Sequence, residues 1–257
     1  MTMPSHISFS ALKNWVFCPF YHKITYIDHI RGFLGNEYTA FGTAIHTICE
    51  KKLLKEEIKD PVAEFNSQFI SELSKLPAEI ELNTKLITDM GEQARTLIPV
   101  IEPSFYDTFE GCEIVSTEEQ LMEEIDDTGI LFKGYIDAVI KTPDGKYHII
   151  DWKSCSWGWD ARKRSDPMVT YQLTLYKIFF AQKHSLELDK IETHFALLKR
   201  TAKKDKVEIF RVTSGNKKMQ NAKSILSKAI FNIKKENFIK DRRSCAKCDF
   251  HKTEHCP

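Results

Sequence analysis

The chain has 257 residues, 42% apolar and 28% charged, with a formal net charge of +1, which is ordinary for a globular protein with a full hydrophobic core. No stretch approaches about 18 consecutive apolar residues, which argues against a transmembrane helix and a membrane partner. The N-terminus lacks the basic and apolar regions of a signal peptide, so we expect a cytoplasmic protein.

The chain up to residue 36 is predicted to hold one helix and a linker. Ser8 or Ser10 can cap the helix, which should end near Cys18 because a proline follows. A short glycine-containing linker then occupies residues 31–36.

A second helix is predicted in the segment FGTAIHTICEKKLLKEEI, where apolar residues recur at helical spacing. His46 and Glu50 lie four residues apart in this segment and therefore share one face. Residues 60–100 are predicted to form further helices with an acidic exterior. Three prolines are expected to break them: Pro61, Pro77 and Pro99.

From residue 113 the apolar period changes towards two, which indicates strands. The predicted antiparallel meander covers residues 113–120, 130–141 and 146–152, joined by turns at 126–129 and 143–145. A helix at 167–184, strands at 191–200 and 206–213, and a basic helix at 216–235 are expected to follow. The predicted fold class is therefore α/β: a small mixed sheet flanked by helices, with a helical insertion.

The hairpin at residues 134–154 carries the groups that point to chemistry. Asp151 and Lys153 are two residues apart in one strand and share a face, whereas Trp152 faces the other way. The turn places this strand against the one that carries Asp137. Two carboxylates and a lysine together predict a Mg²⁺ or Mn²⁺ site suited to metal-assisted phosphodiester hydrolysis.

Four segments in a fixed order resemble the PD-(D/E)XK nuclease superfamily. They are FGTAIH with a helical histidine, GYIDAV with an aspartate, IIDWKS with an Asp-x-Lys triplet, and YQLTLY with a Gln-x-x-x-Tyr pattern. The order is similar to that of the RecB-like branch, which includes nuclease domains of bacterial recombination helicase–nucleases and CRISPR-associated nucleases of spacer acquisition. The resemblance spans nearly the whole chain, although residues 51–112 match no motif, and it implies a restriction-endonuclease-like core.

The resemblance implies roles for the residues around the predicted metal site. Asp137, Asp151 and His46 would bind the cation with the main-chain carbonyl of Trp152, and the imidazole would make Mn²⁺ competitive with Mg²⁺. Lys153 would position the attacking water or stabilise charge on the phosphate. The alternative for the histidine is a packed core residue.

Gln172 and Tyr176 lie one helical turn apart in the fourth motif. By the resemblance they would face the site and orient Lys153 or touch the nucleic acid, and the alternative is a partly buried polar face. Glu119 is a possible further acidic neighbour or, alternatively, an exposed strand residue.

The cysteines form a second constellation. Seven cysteines without a signal peptide argue against disulfides and for metal ligation or buried thiols. Cys245, Cys248 and Cys256 at the C-terminus, with the distant Cys18, resemble the iron–sulfur staple of several RecB-like nucleases. This resemblance implies a [4Fe–4S] cluster that ties the two ends of the chain together.

The spacing of seven residues before Cys256 is longer than expected for the CRISPR-associated group, and it contains two histidines, His251 and His255. A Zn²⁺ site at the C-terminal cysteines with one histidine is therefore the alternative. The remaining three cysteines are expected to be ordinary thiols: Cys49, Cys112 and Cys155.

Charge and aromatic residues suggest where a nucleic acid would bind. Residues 50–127 hold 20 acidic and 7 basic side chains, whereas residues 199–243 hold 15 basic and 4 acidic ones. The basic segment favours a polyanionic substrate, although a solvated helix face has the same composition. A mobile aromatic and basic loop could contact DNA beside the site, or its tryptophans could belong to the core: Trp157, Trp159, Arg162, Lys163 and Arg164.

These features predict a single metal-dependent deoxyribonuclease domain. By resemblance it would be an exonuclease that prefers single-stranded DNA ends, in recombination, repair, phage DNA processing or CRISPR adaptation. The alternatives are a catalytically silent DNA-end-binding or assembly subunit and a structure-specific endonuclease. No phosphate-binding loop of an ATP-driven motor is present in the sequence, so unwinding would need a helicase, integrase or recombination partner.

The domain 1–257 is predicted to have four parts. They are N-terminal helices with Cys18 and His46 (1–50), the helical insertion (51–112), the catalytic α/β core (113–212), and a basic helix with the cysteine cluster (213–257).

Overall fold

The structure is a computed structural model that describes residues 4–257. Its helices are α1 (Phe9–Phe17), α2 (Pro19–His22), α3 (Glu37–Leu53), α4 (Pro61–Ser74), α5 (Thr84–Thr108), α6 (Ala161–Ser165), α7 (Pro167–His184) and α8 (Asn216–Lys234). Its strands are β1 (His6–Ser8), β2 (Glu113–Glu124), β3 (Leu131–Lys141), β4 (Tyr147–Cys155), β5 (Ile191–Lys199) and β6 (Val207–Arg211). Within the described range, no helix combines the length and the apolar character that crossing a membrane requires.

The six strands form one mixed sheet with β3 and β4 in the middle. One edge of β3 pairs antiparallel with β2. Its other edge is shared, because it pairs antiparallel with β4 at residues 138–141 and parallel with β1 at residues 131–133. Parallel pairing of β4 with β5 and antiparallel pairing of β5 with β6 complete the sheet. The predicted α/β class and mixed sheet are confirmed.

A helical layer covers each face of the sheet, as the two buried apolar clusters show. One cluster joins the sheet to α1, α7 and α8, with members such as Phe179 and Leu226. The other joins it to α3, α4 and α5, where the rings of Phe41 and Phe65 lie 5.1 Å apart. The segment predicted as a helical insertion therefore forms much of one layer. Apolar burial on both faces explains why apolar residues occupy successive positions in the central strands, as at Val139 and Ile140 in β3 and at Ile149 and Ile150 in β4.

Two local predictions at the helices have different outcomes. Ser8 caps α1, because its Oγ accepts a hydrogen bond from the Ala11 N–H at 3.1 Å. Pro99 was expected to break a helix, and that prediction is wrong because α5 continues past it and past Pro103. Both prolines lie on the solvent face of α5, so packing of its buried face outweighs the lost backbone hydrogen bonds.

Candidate active site

The site lies where β3 and β4 separate. Their ladder ends at the pair Ala138–Ile150, so Asp137 and Asp151 are the first residues beyond it. β3 continues towards β1, while β4 continues beside β5. Asp137 is fixed across the opening, because its Oδ2 accepts a hydrogen bond of 2.6 Å from the Trp152 N–H. The strand geometry therefore brings both predicted carboxylates to one opening.

Burial makes these carboxylates costly to ionise. Asp151 is only 2% exposed, and burial raises its pKa to about 6 against the favourable charge of Lys153. Burial also raises the pKa of Asp137 to about 6, again opposed by Lys153. The Asp151 Oδ2 atom is buried without a hydrogen-bond partner, although the Lys153 ammonium forms an ion pair with it. The opening therefore favours positive charge.

Lys153 follows Asp151 by two residues and shares its face, as the strand period requires. Burial disfavours its charge, but the carboxylates of Asp151 and Asp137 outweigh burial and raise the pKa of Lys153. Its side chain remains one-third exposed, so it can reach a phosphate that enters from solvent. Trp152 points the other way and packs in the cluster of α3 to α5.

His46 approaches the carboxylates from α3. Its Nδ1 lies 3.7 Å from Asp137 Oδ2, and the ring also hydrogen-bonds to the main chain of Trp152. Burial, together with the nearby Lys153 charge, lowers the pKa of His46 to about 4, so the imidazole is neutral and has a free lone pair. The histidine is therefore beside the carboxylates rather than isolated in the core.

The donor set of this opening fits a hard divalent cation. Two carboxylates are ligands of both Mg²⁺ and Mn²⁺, and one neutral imidazole beside them favours Mn²⁺. The buried Asp151 oxygen among them is in contact with the Lys153 ammonium. His46, Asp137 and Asp151 do not bring one ligand atom each within 4.8 Å of the others. Because the Lys153 ammonium lies on Asp151, cation binding requires this lysine to move aside.

Gln172 and Tyr176 face the same opening from α7. The Gln172 Nε2 donates to the Tyr176 hydroxyl at 3.3 Å. Burial raises the pKa of Tyr176, and the Asp151 charge adds to the effect, which places the phenol near this carboxylate. The Tyr176 ring packs on Gly134, where an added Cβ would lie 2.7 Å from the ring. The structure thus brings the four sequence motifs together.

Two glutamates at the site were not predicted. Glu118 lies between the register pairs Thr117–Ala138 and Glu119–Ile136, at the level of Asp137, and has a positive φ of 46°. Burial, then the charges of Asp137, Glu50 and Asp151, raises its pKa to about 7. Glu50 accepts a hydrogen bond from Thr117 Oγ1 at 3.3 Å. The spacing of Glu50 from His46 was a visible signal, whereas nothing in the sequence marked Glu118.

Neither alternative stated for Glu119 is correct. Its side chain is largely buried and pairs with Lys183 at 2.8 Å and with His184 at 2.5 Å, both at the end of α7. These contacts and a hydrogen bond from Ser116 lower the pKa of Glu119 against the effect of burial. These ion pairs connect β2 to α7, and Glu119 does not face Asp137 and Asp151.

The segment predicted as a mobile basic loop is packed for the most part, and it contains α6. Trp159 is buried against Phe195, with ring centroids 5.0 Å apart, so the core alternative is correct for this tryptophan. Arg164 pairs with Glu208 at 2.6 Å, and the Lys163 ammonium lies 4.6 Å from the Trp159 centroid. Three residues of the set are exposed: Trp157 at 78%, Arg162, and Lys163, whose ammonium lies over the Trp159 ring.

Four of the cysteines surround one cavity. Cys18, Cys245, Cys248 and Cys256 line a space of about 420 Å³, which His251 also borders. Burial raises the pKa of Cys248, and the Cys256 and Cys18 thiols add to this effect, so these sulfurs are neighbours. The Asp241 N–H donates to Cys18 Sγ at 3.3 Å.

The ligand atoms at this cavity are not gathered as tightly as around a single bound Zn²⁺ ion. A tetrahedral Zn²⁺ site with bonds of about 2.3 Å places its sulfurs roughly 3.8 Å apart. In residues 4–257, no three cysteine or histidine ligand atoms at this cavity lie within 4.8 Å of one another. The four thiols, with His251 beside them, are therefore candidate ligands for either predicted metal group.

The sequence model of the PD-(D/E)XK nuclease superfamily matches residues 6–255. No curated protein matches the chain. Among solved structures, a protein from Eubacterium rectale, described provisionally as an exonuclease, is 16% identical with a TM-score of 0.65, over 96% of this chain and 88% of that one. At this identity the likeness shows the fold alone.

Two further structures are more distant. SSO0001 is 16% identical with a TM-score of 0.42, over 97% of this chain and 85% of that one. LHK-Exo, solved in complex with dAMP, is 11% identical with a TM-score of 0.33, over 77% of this chain and 93% of that one.

Proposed function

The chain belongs to the PD-(D/E)XK nuclease superfamily, and we propose that it is a metal-dependent deoxyribonuclease that shortens single-stranded DNA from an end. The observation that carries this proposal is the convergence of Asp137, Asp151 and Lys153, in which the Lys153 ammonium is paired with a buried Asp151 oxygen. A buried carboxylate pair of this kind is stable only beside positive charge.

We assign the following roles to these side chains. Asp137, Asp151 and His46 hold a Mg²⁺ or Mn²⁺ ion with the Trp152 carbonyl; when bound, the ion supplies a hydroxide nucleophile and neutralises phosphate charge. Lys153 leaves Asp151 and donates to the phosphate oxygen or to the attacking water.

We further propose that Gln172 and Tyr176 orient the site from α7. Their mutual hydrogen bond and the packing of Tyr176 on Gly134 fix both side chains, so they can hold Lys153 in one direction. The exposed Trp157 and Arg162 are the members of the aromatic and basic segment best placed to contact DNA. Lys163 and Arg164 are engaged within the protein and contribute mainly their charge.

A [4Fe–4S] cluster is proposed for the cavity lined by the four cysteines. It would join the α1–α2 junction, which carries Cys18, to the C-terminal segment, and so close the whole nuclease domain. Protein purified without air should contain about four iron atoms per chain, and Cys18→Ser should lose them while Cys112→Ser keeps them. Stoichiometric zinc without iron would favour the alternative instead.

The proposed activity is tested with single-stranded and duplex DNA labelled separately at each end, in Mg²⁺ or Mn²⁺. We expect stepwise shortening from one end and a loss of about 10²–10³-fold in Lys153→Ala, because a preorganised charge at the phosphate is removed. Lys190→Ala is the matched control and should retain full activity, because this exposed lysine precedes Ile191, which pairs with Tyr147 six residues along β4 from Lys153. Full activity in folded Lys153→Ala would refute the assignment, and binding without cleavage would favour a silent end-binding subunit.

A further inference from the structure

Arg200, directly after β5, is a buried cation without an anionic partner. The residue is only 5% exposed. The guanidinium donates to Gln93 Oε1 at 3.0 Å and to Ser156 Oγ at 3.4 Å, and both acceptors are neutral. No carboxylate of residues 4–257 lies within 4.0 Å of it. By contrast, Arg164 pairs with Glu208.

A buried charge of this kind requires a compensating group. Buried ions in proteins are paired or coordinated, because removing them from water is costly. A guanidinium has five N–H donors in a planar fork, which suits bidentate binding of a phosphate. The two neutral acceptors leave part of this fork unused. An anion from solvent would complete it once the partly exposed Tyr38 ring, which lies over the guanidinium, turns aside.

Aromatic rings hold the Arg200 side chain in a fixed plane. Its guanidinium carbon lies 5.1 Å from the Tyr38 centroid and 5.3 Å from the Phe41 centroid. Tyr38 is 49% exposed, so its outer face is open to a ligand. Trp157, which follows the Ser156 that contacts Arg200, is also exposed. Exposed rings beside a fixed cation are the usual elements of a single-strand binding surface.

The strand register places this group near the catalytic centre. Lys153 pairs with Leu197 on β5, and Arg200 follows three residues later, about 10 Å along the strand at roughly 3.3 Å per residue. The odd separation places its side chain on the opposite face of the sheet, with α3 and α5, which is the face from which His46 reaches the carboxylates. α3 gives a similar distance, because Tyr38 precedes His46 by eight residues, or about 12 Å at 1.5 Å per residue. The arginine is therefore about three nucleotides from the metal site at the B-DNA rise of roughly 3.4 Å, and fewer in an extended strand.

We propose that Arg200 binds a backbone phosphate of the substrate strand, while Tyr38 and Trp157 stack on the adjoining bases. This subsite, at the ends of β4 and β5, would hold single-stranded DNA in register with the catalytic carboxylates. The inference rests on the proposed deoxyribonuclease function. The exposed Lys203 and Lys204 on the following loop add positive potential to the same edge.

Binding without cleavage tests the proposal. Anisotropy of a labelled 20-nucleotide oligothymidylate is measured in EDTA over a series of KCl concentrations, for wild type, Arg200→Met and Arg200→Lys. Loss of one phosphate contact should flatten the plot of log K against log[KCl] by about 0.7 in Arg200→Met, whereas Arg200→Lys should keep the wild-type slope. Arg95→Met, an exposed arginine on α5, is the matched control with an unchanged slope.

A purely structural role gives a different pattern. It would lower the thermal midpoint of Arg200→Met and Arg200→Lys alike and leave the salt slope of folded protein unchanged, which would overturn the proposal. If Arg200→Met does not fold, Tyr38→Ala and Trp157→Ala still test the surface. Each should weaken binding by about 5-fold or more without changing the slope, because only base stacking is lost. Unchanged affinity in both would also refute the subsite.

The test separates this inference from the proposed function. Cleavage by wild type in Mg²⁺ or Mn²⁺, together with an unchanged salt slope in Arg200→Met, would retain the nuclease and reject the subsite. Wild type that neither binds nor cuts DNA would reject both.

Discussion

Gly134, within β3, is the position where one added methyl group tests the packing of the site. A Cβ built there would lie 2.7 Å from Tyr176 Cε1 and 3.4 Å from Phe132 Cε1. Carbon atoms in contact are ordinarily about 3.5–4.0 Å apart, so the Tyr176 ring would have to retreat by about 0.8 Å or more. We therefore expect Gly134→Ala to displace Tyr176 from its place beside the carboxylates.

The size of the effect follows from two opposing terms. Overpacking a buried ring costs about 1–3 kcal/mol, and Tyr176 is buried in the cluster that it shares with Phe132 and Phe179. Replacing glycine by alanine in a strand gains roughly 0.5–1 kcal/mol, because the unfolded chain loses freedom. The expected net result is a fall of about 1–2 kcal/mol in the free energy of unfolding.

Urea unfolding measures this difference, and Gly91→Ala in α5 is the matched control. An added Cβ at Gly91 would meet only Asn66 Oδ1, at an ordinary 3.6 Å. Because the position is inside a helix, alanine should raise the free energy of unfolding there by about 0.5–1 kcal/mol. The same chemical change is therefore expected to have opposite signs at the two glycines, with an unchanged denaturant slope in both.

An unfolding midpoint of Gly134→Ala at or above that of wild type would refute the close packing of Tyr176 on β3. A double-mutant cycle with Tyr176→Leu localises the cause. If the clash is with this ring, the two changes should be coupled by more than about 0.5 kcal/mol, since the smaller side chain makes room for the methyl group.

Two further predictions concern stability alone. Burial and the adjacent His148 lower the pKa of His194 to about 4, whereas the unfolded chain binds the proton near pH 6.5. The contribution of neutral His194 to the free energy of unfolding is therefore complete above pH 6.5 and is lost as the pH falls towards 4, by about 3 kcal/mol at most. Thermal unfolding at pH 7 and at pH 5 should show this loss, and the loss should be smaller in His194→Gln. Ser8→Ala removes the cap of α1 and should lower the free energy of unfolding by about 1 kcal/mol in urea, whereas an unchanged midpoint would show that the cap contributes nothing.

Local sequence signals were sufficient to predict most of the helices and strands. α7 begins at Pro167 and ends at His184, as expected, because a proline fits the first turn and its apolar residues have helical spacing. β1 was not predicted, since three residues are too few to show a period. It exists because β4 leaves part of the β3 edge free. Tertiary pairing, rather than local propensity, decides such a strand.

The catalytic carboxylates could be placed from the sequence, but the acidic residues around them could not. Asp151 and Lys153 lie on the regular ladder between β4 and β5, where a period of two assigns faces correctly. Asp137 is the first residue beyond the β3–β4 ladder, so the turn between these strands placed it near Asp151. β2 is irregular, because its register with β3 shifts between Ile114 and Ser116. One inserted residue reverses the facing of every later side chain. The face on which Glu119 lies could therefore not be assigned from its position in the sequence.

A similar irregularity in β3 explains why the carboxylates are accessible at all. Residues two apart in a strand normally share a face, yet Ile136 packs in the cluster of α1, α7 and α8, whereas Ala138 packs in that of α3 to α5. The facing of the strand therefore changes at Asp137, where β3 leaves β4. A sheet covered by helices on both faces buries its central side chains, so an opening needs such a break. The break also leaves Asp151 unpaired on the edge of β4 that faces β3, while its other edge pairs with β5. His46 and Lys153 reach both carboxylates at this opening.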